Sequence, residues 1–276
     1  MRTTGRRGSV EGGTSDSSDD PGSIAERLGA GGVESPEAEA RWIARGAGGR
    51  DVDELVRRRL RGEPLQYVLG TAAFRRLELR VGPGVFVPRP ETELVADRAM
   101  ARLPRGGLLV DLCTGSGAIA LSVADERPDA RVVASELSPA AAQWATSNRD
   151  SLGLRVELFE GDLFSALPSG LAGRVDVVVS NPPYVDPDER AMLPSDVVDH
   201  EPEVALFAPG EGTSVIERIA SGAAAWLRRG GWIVLEIGET QGDAVHALLQ
   251  GAGFDDVSIE PDLNGRDRMA EGRWPG

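Results

Sequence analysis

From Leu108 onward, short apolar runs alternate with helical patterns at a spacing that leaves few choices of fold. "LLVDLC" (108–113), "RVVASEL" (131–137), "RVELFEGD" (155–162), "VDVVVSN" (175–181) and "WIVLEIG" (232–238) each read as a strand. Between them lie helical stretches. "GAIALSVADER" is one; "SPAAAQWATSNRDSLG" is another, with Ser138 as N-cap and Pro139 at the first helical position. "TSVIERIASGAAAWLRRGG" reads as a helix closed by glycine, and "TQGDAVHALLQGAG" as a further helix. Alternating β and α units with β-branched, two-sided apolar strands imply an α/β, doubly wound, mainly parallel sheet. The terminal "FDDVSIEPDLNGRDRMAEGRW" is expected to add an antiparallel pair at its edge.

The part before Leu108 is organised differently. Residues 1–22 are rich in Gly, Ser and Asp, and bury too little to offset their ordering entropy, so a disordered tail is expected there. Residues 23–68 read as a small helical unit. Ile24, Leu28, Ala40 and Ile43 recur at helical spacing, Ser35 and Pro36 open the second helix, and "DVDELVRRRLRG" turns Leu55, Val56 and Leu60 inward. Residues 69–88 suggest a β-hairpin linker carrying Phe74, Leu77, Leu79 and Val81. A helix follows over "ETELVADRAMARL".

Composition narrows the function. The formal net charge of -14 argues against a broad nucleic-acid surface, and the run Arg57, Arg58, Arg59 and Arg61 reads as a solvated helix face. One cysteine and two histidines make a zinc site unexpected and an internal disulfide impossible. With no membrane-length apolar run and no signal-peptide core, a cytoplasmic protein is expected.

Two motifs carry chemistry. "VDLCTGSGAIAL" passes from strand to helix, where Gly115 and Gly117 let the backbone turn tightly and approach a ligand. Asp111 ends the first strand and Glu136 the second, at the spacing where a carboxylate accepts from two ribose hydroxyls. Asp162 falls where an adenine contact would sit, although each acid could merely cap the helix that follows it. The second motif is "NPPY": three valines run into Asn181, Pro182, Pro183 and Tyr184. Proline cannot extend the hydrogen-bond ladder, so the strand ends and delivers Asn181 to the carboxyl edge of the sheet, where ligands bind.

In this order, "DLCTGSGAIAL", "SEL", "GDLF" and "SNPPY" resemble class I S-adenosylmethionine-dependent methyltransferases. Together with "GEPLQYVLG", "FVPRPETELV", "HEPEVAL", "GGWIVLEIG" and "DLNGRDR" they are similar to the protein-(glutamine) N-methyltransferases that modify peptide chain release factors. The resemblance runs from Ser23 nearly to the end and implies a Rossmann-like domain over 89–276. S-adenosylmethionine would be held by Asp111, Cys113, Thr114, Gly115, Ser116, Gly117, Glu136, Asp162, Leu163 and Asn181. It implies a release factor as protein partner, recognised with help from the helical unit, and no direct nucleic-acid, membrane or metal partner. Asn181, Pro182 and Tyr184 are the expected catalytic residues, with Pro183 and Arg89 in substrate binding.

The motif suits an amide. A glutamine nitrogen is a poor nucleophile until it pyramidalises. The Asn181 side-chain oxygen and the Pro182 carbonyl are placed to accept its two N–H groups, holding it in line and stabilising the charge that develops. Two departures from the family pattern stand out: Cys113 replaces a common glycine, and the stretch between "ARWIARGAGG" and "RDVDELVRRRL" is shorter than usual. Two other readings share these motifs: an adenine amino-methyltransferase acting on DNA or RNA, and a silent S-adenosylmethionine-binding module. The first requires base flipping and a basic surface; the second would be marked by loss of Asn181 or the glycines.

Overall fold

A computed structural model describes residues 19–276, which form two compact units, one ending at Leu69 and the other spanning Gly70–Gly276. Residues 1–18, most of the expected tail, lie outside the described residues.

The first unit contains α1 (Pro21–Ala30), α2 (Pro36–Gly46), α3 (Val52–Leu60) and α4 (Leu65–Leu69). α1 starts two residues inside the stretch expected to be unstructured, because Asp20 accepts from the Gly22 N–H as an N-cap and Pro21 occupies the first helical position. Ile24, Leu28, Ala40, Ile43, Val56 and Val68 close the unit's core. Two expectations fail here. Ser35 precedes α2 but its side chain makes no capping hydrogen bond, its backbone lying outside the extended region an N-cap adopts. Leu60, read as inward, is 41% exposed: in the last turn of α3 it lies over Gly31 at the end of α1, where a Cβ would come within 2.2 Å of it, rather than in the unit's core. The arginine run is neutralised from within: Arg58 pairs with Glu63 and Arg59 with Glu39, both at 2.6 Å, and Arg57 and Arg61 share Glu54.

The second unit opens with the antiparallel hairpin β1 (Thr71–Phe74) and β2 (Leu77–Arg80), then α5 (Thr92–Arg102). Next come β3 (Leu108–Leu112), α6 (Ala118–Glu126), β4 (Arg131–Glu136), α7 (Pro139–Leu152), β5 (Val156–Glu160) and β6 (Val175–Ser180). They are followed by the short α8 (Ser195–His200) and α9 (Glu203–Leu206), then α10 (Ser214–Trp226), β7 (Leu227–Glu236), α11 (Gly242–Gly251), β8 (Asp255–Pro261) and β9 (Asp267–Arg273). The seven-stranded sheet runs β5-β4-β3-β6-β7-β9-β8. β3 to β7 are mutually parallel, and β9 and β8 form the expected antiparallel edge.

Strand alternation explains the two layers of core. Leu109, Val177, Val179 and Val234 face α5 and α6, whereas Val110, Leu112, Val178, Ile233 and Leu235 face α10 and α11. Both faces are covered, so each valine of "VVV" is fully buried. α10 ends at Trp226 rather than at glycine. The "LRRGG" segment already belongs to β7, and Gly231 passes so close to β6 that a Cβ would lie 3.0 Å from the Val175 carbonyl.

The strand order reverses beside β3: the chain winds outward through β4 and β5, then returns to β6 on the other side. In open α/β sheets ligands bind at such a switch point, outside the carboxyl ends of the strands, here those of β3 and β6.

Candidate active site

Strand register brings the motifs together. Leu112 stands beside Ser135 on one side and Ser180 on the other, and Ser180 stands beside Leu235. The next residues along these parallel strands, Glu136, Cys113, Asn181 and Glu236, therefore lie along one edge of the sheet.

The glycine loop is built by its own hydrogen bonds. Asp111 is 1% exposed and accepts from the Thr114 hydroxyl at 2.6 Å and the Ala120 N–H at 3.1 Å, tying the loop to the start of α6. Its side chain is thus spent inside the protein, and burial pushes its carboxyl up to about 7, against those two bonds. Gly115 and Gly117 are left-handed, with φ of 58° and 87°; a Cβ on Gly117 would meet Leu121 at 2.8 Å. Ser116 is buried, and its carbonyl accepts from Asn148 at 3.0 Å. Cys113 is left-handed too, with φ 58°, which explains the glycine common at this position, and its side chain packs against the core beside β6.

Glu136 faces this loop. Its two oxygens accept from the Gly115 N–H and the Ser138 N–H, each at 2.8 Å, while Ser138 caps α7 through Ala141. Burial raises its carboxyl above the usual range, opposed by those N–H groups. Each oxygen keeps a lone pair for a further donor. A cavity of about 380 Å³ opens beside it, lined by Thr114, Ala145, Thr146, Leu158 and Phe159 among others. A Cβ on Gly115 would meet nothing within 4 Å, so the loop offers open space where a ligand would pass. A nucleoside with a free ribose diol fits these groups.

The residues after β5 are less open. The Asp162 side chain pairs with Arg218 of α10 at 2.5 Å, and Leu163 (φ 47°) turns its side chain into the core. Neither residue is among those that line the cavity beside Glu136.

The NPPY segment is held from several directions. The Asn181 amide nitrogen donates to the Thr92 hydroxyl at 3.1 Å, Thr92 donates to Glu236 at 2.6 Å, and the Tyr184 hydroxyl donates to the other Glu236 oxygen at 3.0 Å. Pro182 is buried and Pro183 half-buried. Gln241 donates to the Tyr184 carbonyl at 2.9 Å, and Gly212 leaves room for that carbonyl, since a Cβ there would lie 2.0 Å from it. Burial pushes the Tyr184 phenol up, with the Glu236 charge adding to it, so the hydroxyl stays a donor.

Arg89 is engaged within the protein, with its side chain 30% exposed. It pairs with the buried Glu201 and lies over the Phe86 ring, 4.7 Å from its centroid. Glu93 accepts from the Arg75 N–H. Thr92, Glu201, Glu236 and Gln241 are the functional candidates that motif reading missed. Glu236 left a signal, an acid inside the apolar run "WIVLEIG", and so did Thr92, the polar residue between the two acids of "PETE". Among the described residues no His, Cys, Asp or Glu cluster is arranged for a metal, and no helix is long and apolar enough to cross a membrane.

Comparison with known proteins agrees with this geometry. Residues 83–229 match the family model of the methyltransferase small domain. A release factor glutamine methyltransferase of Streptomyces coelicolor is 43% identical over 268 residues, covering 90% of this chain and 94% of that protein. One from Mycolicibacterium smegmatis is 47% identical over 221 residues, 79% of this chain and 77% of that protein. A methyltransferase structure from Pyrococcus furiosus, 18% identical, superposes with a TM-score of 0.54 over 72% of this chain and 89% of its own, which supports the fold. The chain belongs to the release factor glutamine methyltransferase family, and its fold is that of a class I methyltransferase.

Proposed function

We propose that this protein transfers a methyl group from S-adenosylmethionine to the side-chain amide nitrogen of the glutamine in the Gly-Gly-Gln loop of peptide chain release factors. One observation carries the reading: the β3–β6 register sets the glycine loop next to Asn181 of NPPY, in a chain of this family. When bound, S-adenosylmethionine supplies a methyl group on a sulfonium, a strong electrophile with a good leaving group.

The protein's part is holding and orienting. Glu136 and the Thr114–Gly117 loop would hold the nucleoside, with Asp111 keeping the loop in shape and Asp162 and Leu163 bordering the base. Asn181 Oδ1 and the Pro182 carbonyl would accept the two N–H groups of the glutamine, favouring a pyramidal nitrogen and stabilising its developing positive charge. Tyr184, pinned through its hydroxyl and its carbonyl, would present a fixed aromatic wall to the planar amide. The helical unit is assigned a share in docking the protein substrate, and such a substrate places the work in the cytoplasm.

The adenine reading lacks support from charge, since the arginine run that might have gripped phosphates is already paired with glutamates. The test is transfer of labelled methyl to purified release factor, beside its Gln-to-Ala variant and unmethylated DNA. Label on the intact factor alone is expected; label on DNA would transfer the assignment to adenine.

A further inference from the structure

An asparagine that accepts an amide N–H must present its oxygen to the substrate, yet its oxygen and nitrogen ends have nearly the same shape. We infer that Thr92 and Glu236 are positioning residues that decide which end of Asn181 faces the substrate. The inference rests on the glutamine-methylation reading and adds to it a device that sets the polarity of the motif.

The argument is one of hydrogen count. Glu236 is 1% exposed and, when ionised, only accepts. Thr92 is 3% exposed and has a single hydroxyl hydrogen, which it gives to Glu236 Oε2 at 2.6 Å. Toward Asn181 the Thr92 oxygen is therefore an acceptor, and the group it selects is the Asn181 Nδ2, at 3.1 Å. A flipped amide would set two oxygens against each other with no hydrogen between them, an uncompensated contact in a buried site. With Nδ2 spent on Thr92, the Oδ1 is the end left for the substrate.

The same carboxylate accepts from the Tyr184 hydroxyl through Oε1. One buried group thus governs both ends of NPPY, across 144 residues to Thr92 and 52 to Tyr184. Burial raises the Glu236 carboxyl above the usual range, with the charge of Glu91 adding to it, while the two hydroxyl donors and the nearby positive charge of Arg268 oppose the rise. A protonated carboxyl would supply a third hydrogen to a pair of hydroxyls already donating, and would have to reverse one of them. The fold makes the relay possible because Glu236 follows Leu235, which stands beside Ser180, so the acid emerges next to Asn181.

The experiment uses the full chain with Thr92→Val, nearly isosteric but without a hydroxyl, and Thr92→Ser, which restores it. Two readouts are taken: kcat and KM for methyl transfer to release factor, and hydrogen exchange of the Asn181 side-chain NH₂ by ¹⁵N NMR without cofactor or substrate. Thr92→Val is expected to lower kcat about 10²-fold, the scale of a misplaced reacting group. Its KM for release factor and its affinity for S-adenosylmethionine should stay within about 3-fold of wild type, because Thr92 is buried and acts through Asn181. Exchange of the NH₂ should accelerate at least about 10-fold, and Thr92→Ser should return both readouts close to wild type. Unchanged kcat, or unchanged exchange, in Thr92→Val overturns the relay. Should the wild type leave release factor unlabelled, the glutamine reading fails by itself, and the exchange comparison still decides whether Thr92 fixes the amide.

Discussion

Arg89 and Glu201, 112 residues apart in sequence, form an ion pair whose carboxylate side chain is 1% exposed. The second Glu201 oxygen accepts from the Val87 N–H at 3.2 Å, so one glutamate fastens the segment before α5 to the loop that follows NPPY. Burial raises the Glu201 carboxyl while the Arg89 charge and hydrogen bond lower it, which makes Arg89 the group that keeps a buried acid tolerable.

Removing Arg89 should therefore cost stability first. Arg89→Met leaves Glu201 buried with a single N–H partner and is expected to cost about 2 kcal/mol, discounted from a fully buried pair because Arg89 is 30% exposed. For a chain of this size that corresponds to a Tm loss of roughly 4–8 °C. The double variant Arg89→Met with Glu201→Gln should recover more than half of it. Calorimetry decides: loss of release-factor binding with an unchanged Tm would instead make Arg89 a substrate contact.

Asp111 gives a pH signature. Its folded-state carboxyl is pushed up from 3.8 to about 7 by burial, so the folded protein holds the proton more tightly than the unfolded chain. Its contribution is favourable below pH 3.8 and is lost as pH rises through about 7. Asp111→Asn keeps an acceptor for Thr114 and Ala120 but does not titrate. The stability of wild type minus that of Asp111→Asn should fall between pH 5 and pH 8 by on the order of 2 kcal/mol. Denaturant titrations at the two pH values that give a constant difference would show that Asp111 does not change its protonation there.

How much of this was legible beforehand follows from the range of the interactions. The strands of the parallel sheet and the NPPY strand end are local: valine runs report two-sided burial, and proline reports the end of a ladder, whatever the rest of the chain does. The place of Glu136 beside the glycine loop was legible because its spacing from that loop is imposed by one βαβ unit. Thr92 and Glu236 were not, since their pairing exists only once α5 and β7 flank β6, and no local pattern records that meeting. The "RRGG" before Trp232 misled for the same reason: a glycine pair that ends a helix in isolation is here the point where β7 squeezes past β6.

Cys113 tests how far backbone conformation explains the family's glycine. At φ 58° a residue with a Cβ carries about 1–2 kcal/mol of strain, and the packing of the thiol on the core offsets part of it. Cys113→Gly should thus stay within about 1 kcal/mol of wild type, whereas Cys113→Val, branched where the left-handed region tolerates branching least, should lose at least about 2 kcal/mol. Urea unfolding of the two variants separates the cases; a valine variant as stable as the glycine one would remove strain as the explanation.

Glu136 offers the sharpest test of the nucleoside site. Its two oxygens accept from Gly115 and Ser138 N–H groups, so the carboxylate both shapes the loop and points its remaining lone pairs outward. In Glu136→Gln one of those N–H donors would face an NH₂, and a ribose diol held here as proposed would lose one of its two acceptors. Charge-assisted bonds of this kind are worth about 1.5–3 kcal/mol each, so affinity for S-adenosylhomocysteine should fall about 10- to 100-fold by titration calorimetry. Ser138 still caps α7 through its own hydroxyl, so the helix should persist and the Tm should drop only modestly. Unchanged affinity in a folded Glu136→Gln protein would mean that the ribose is held elsewhere on the carboxyl edge. A parallel loss of affinity and fold would mean that Glu136 serves the loop alone.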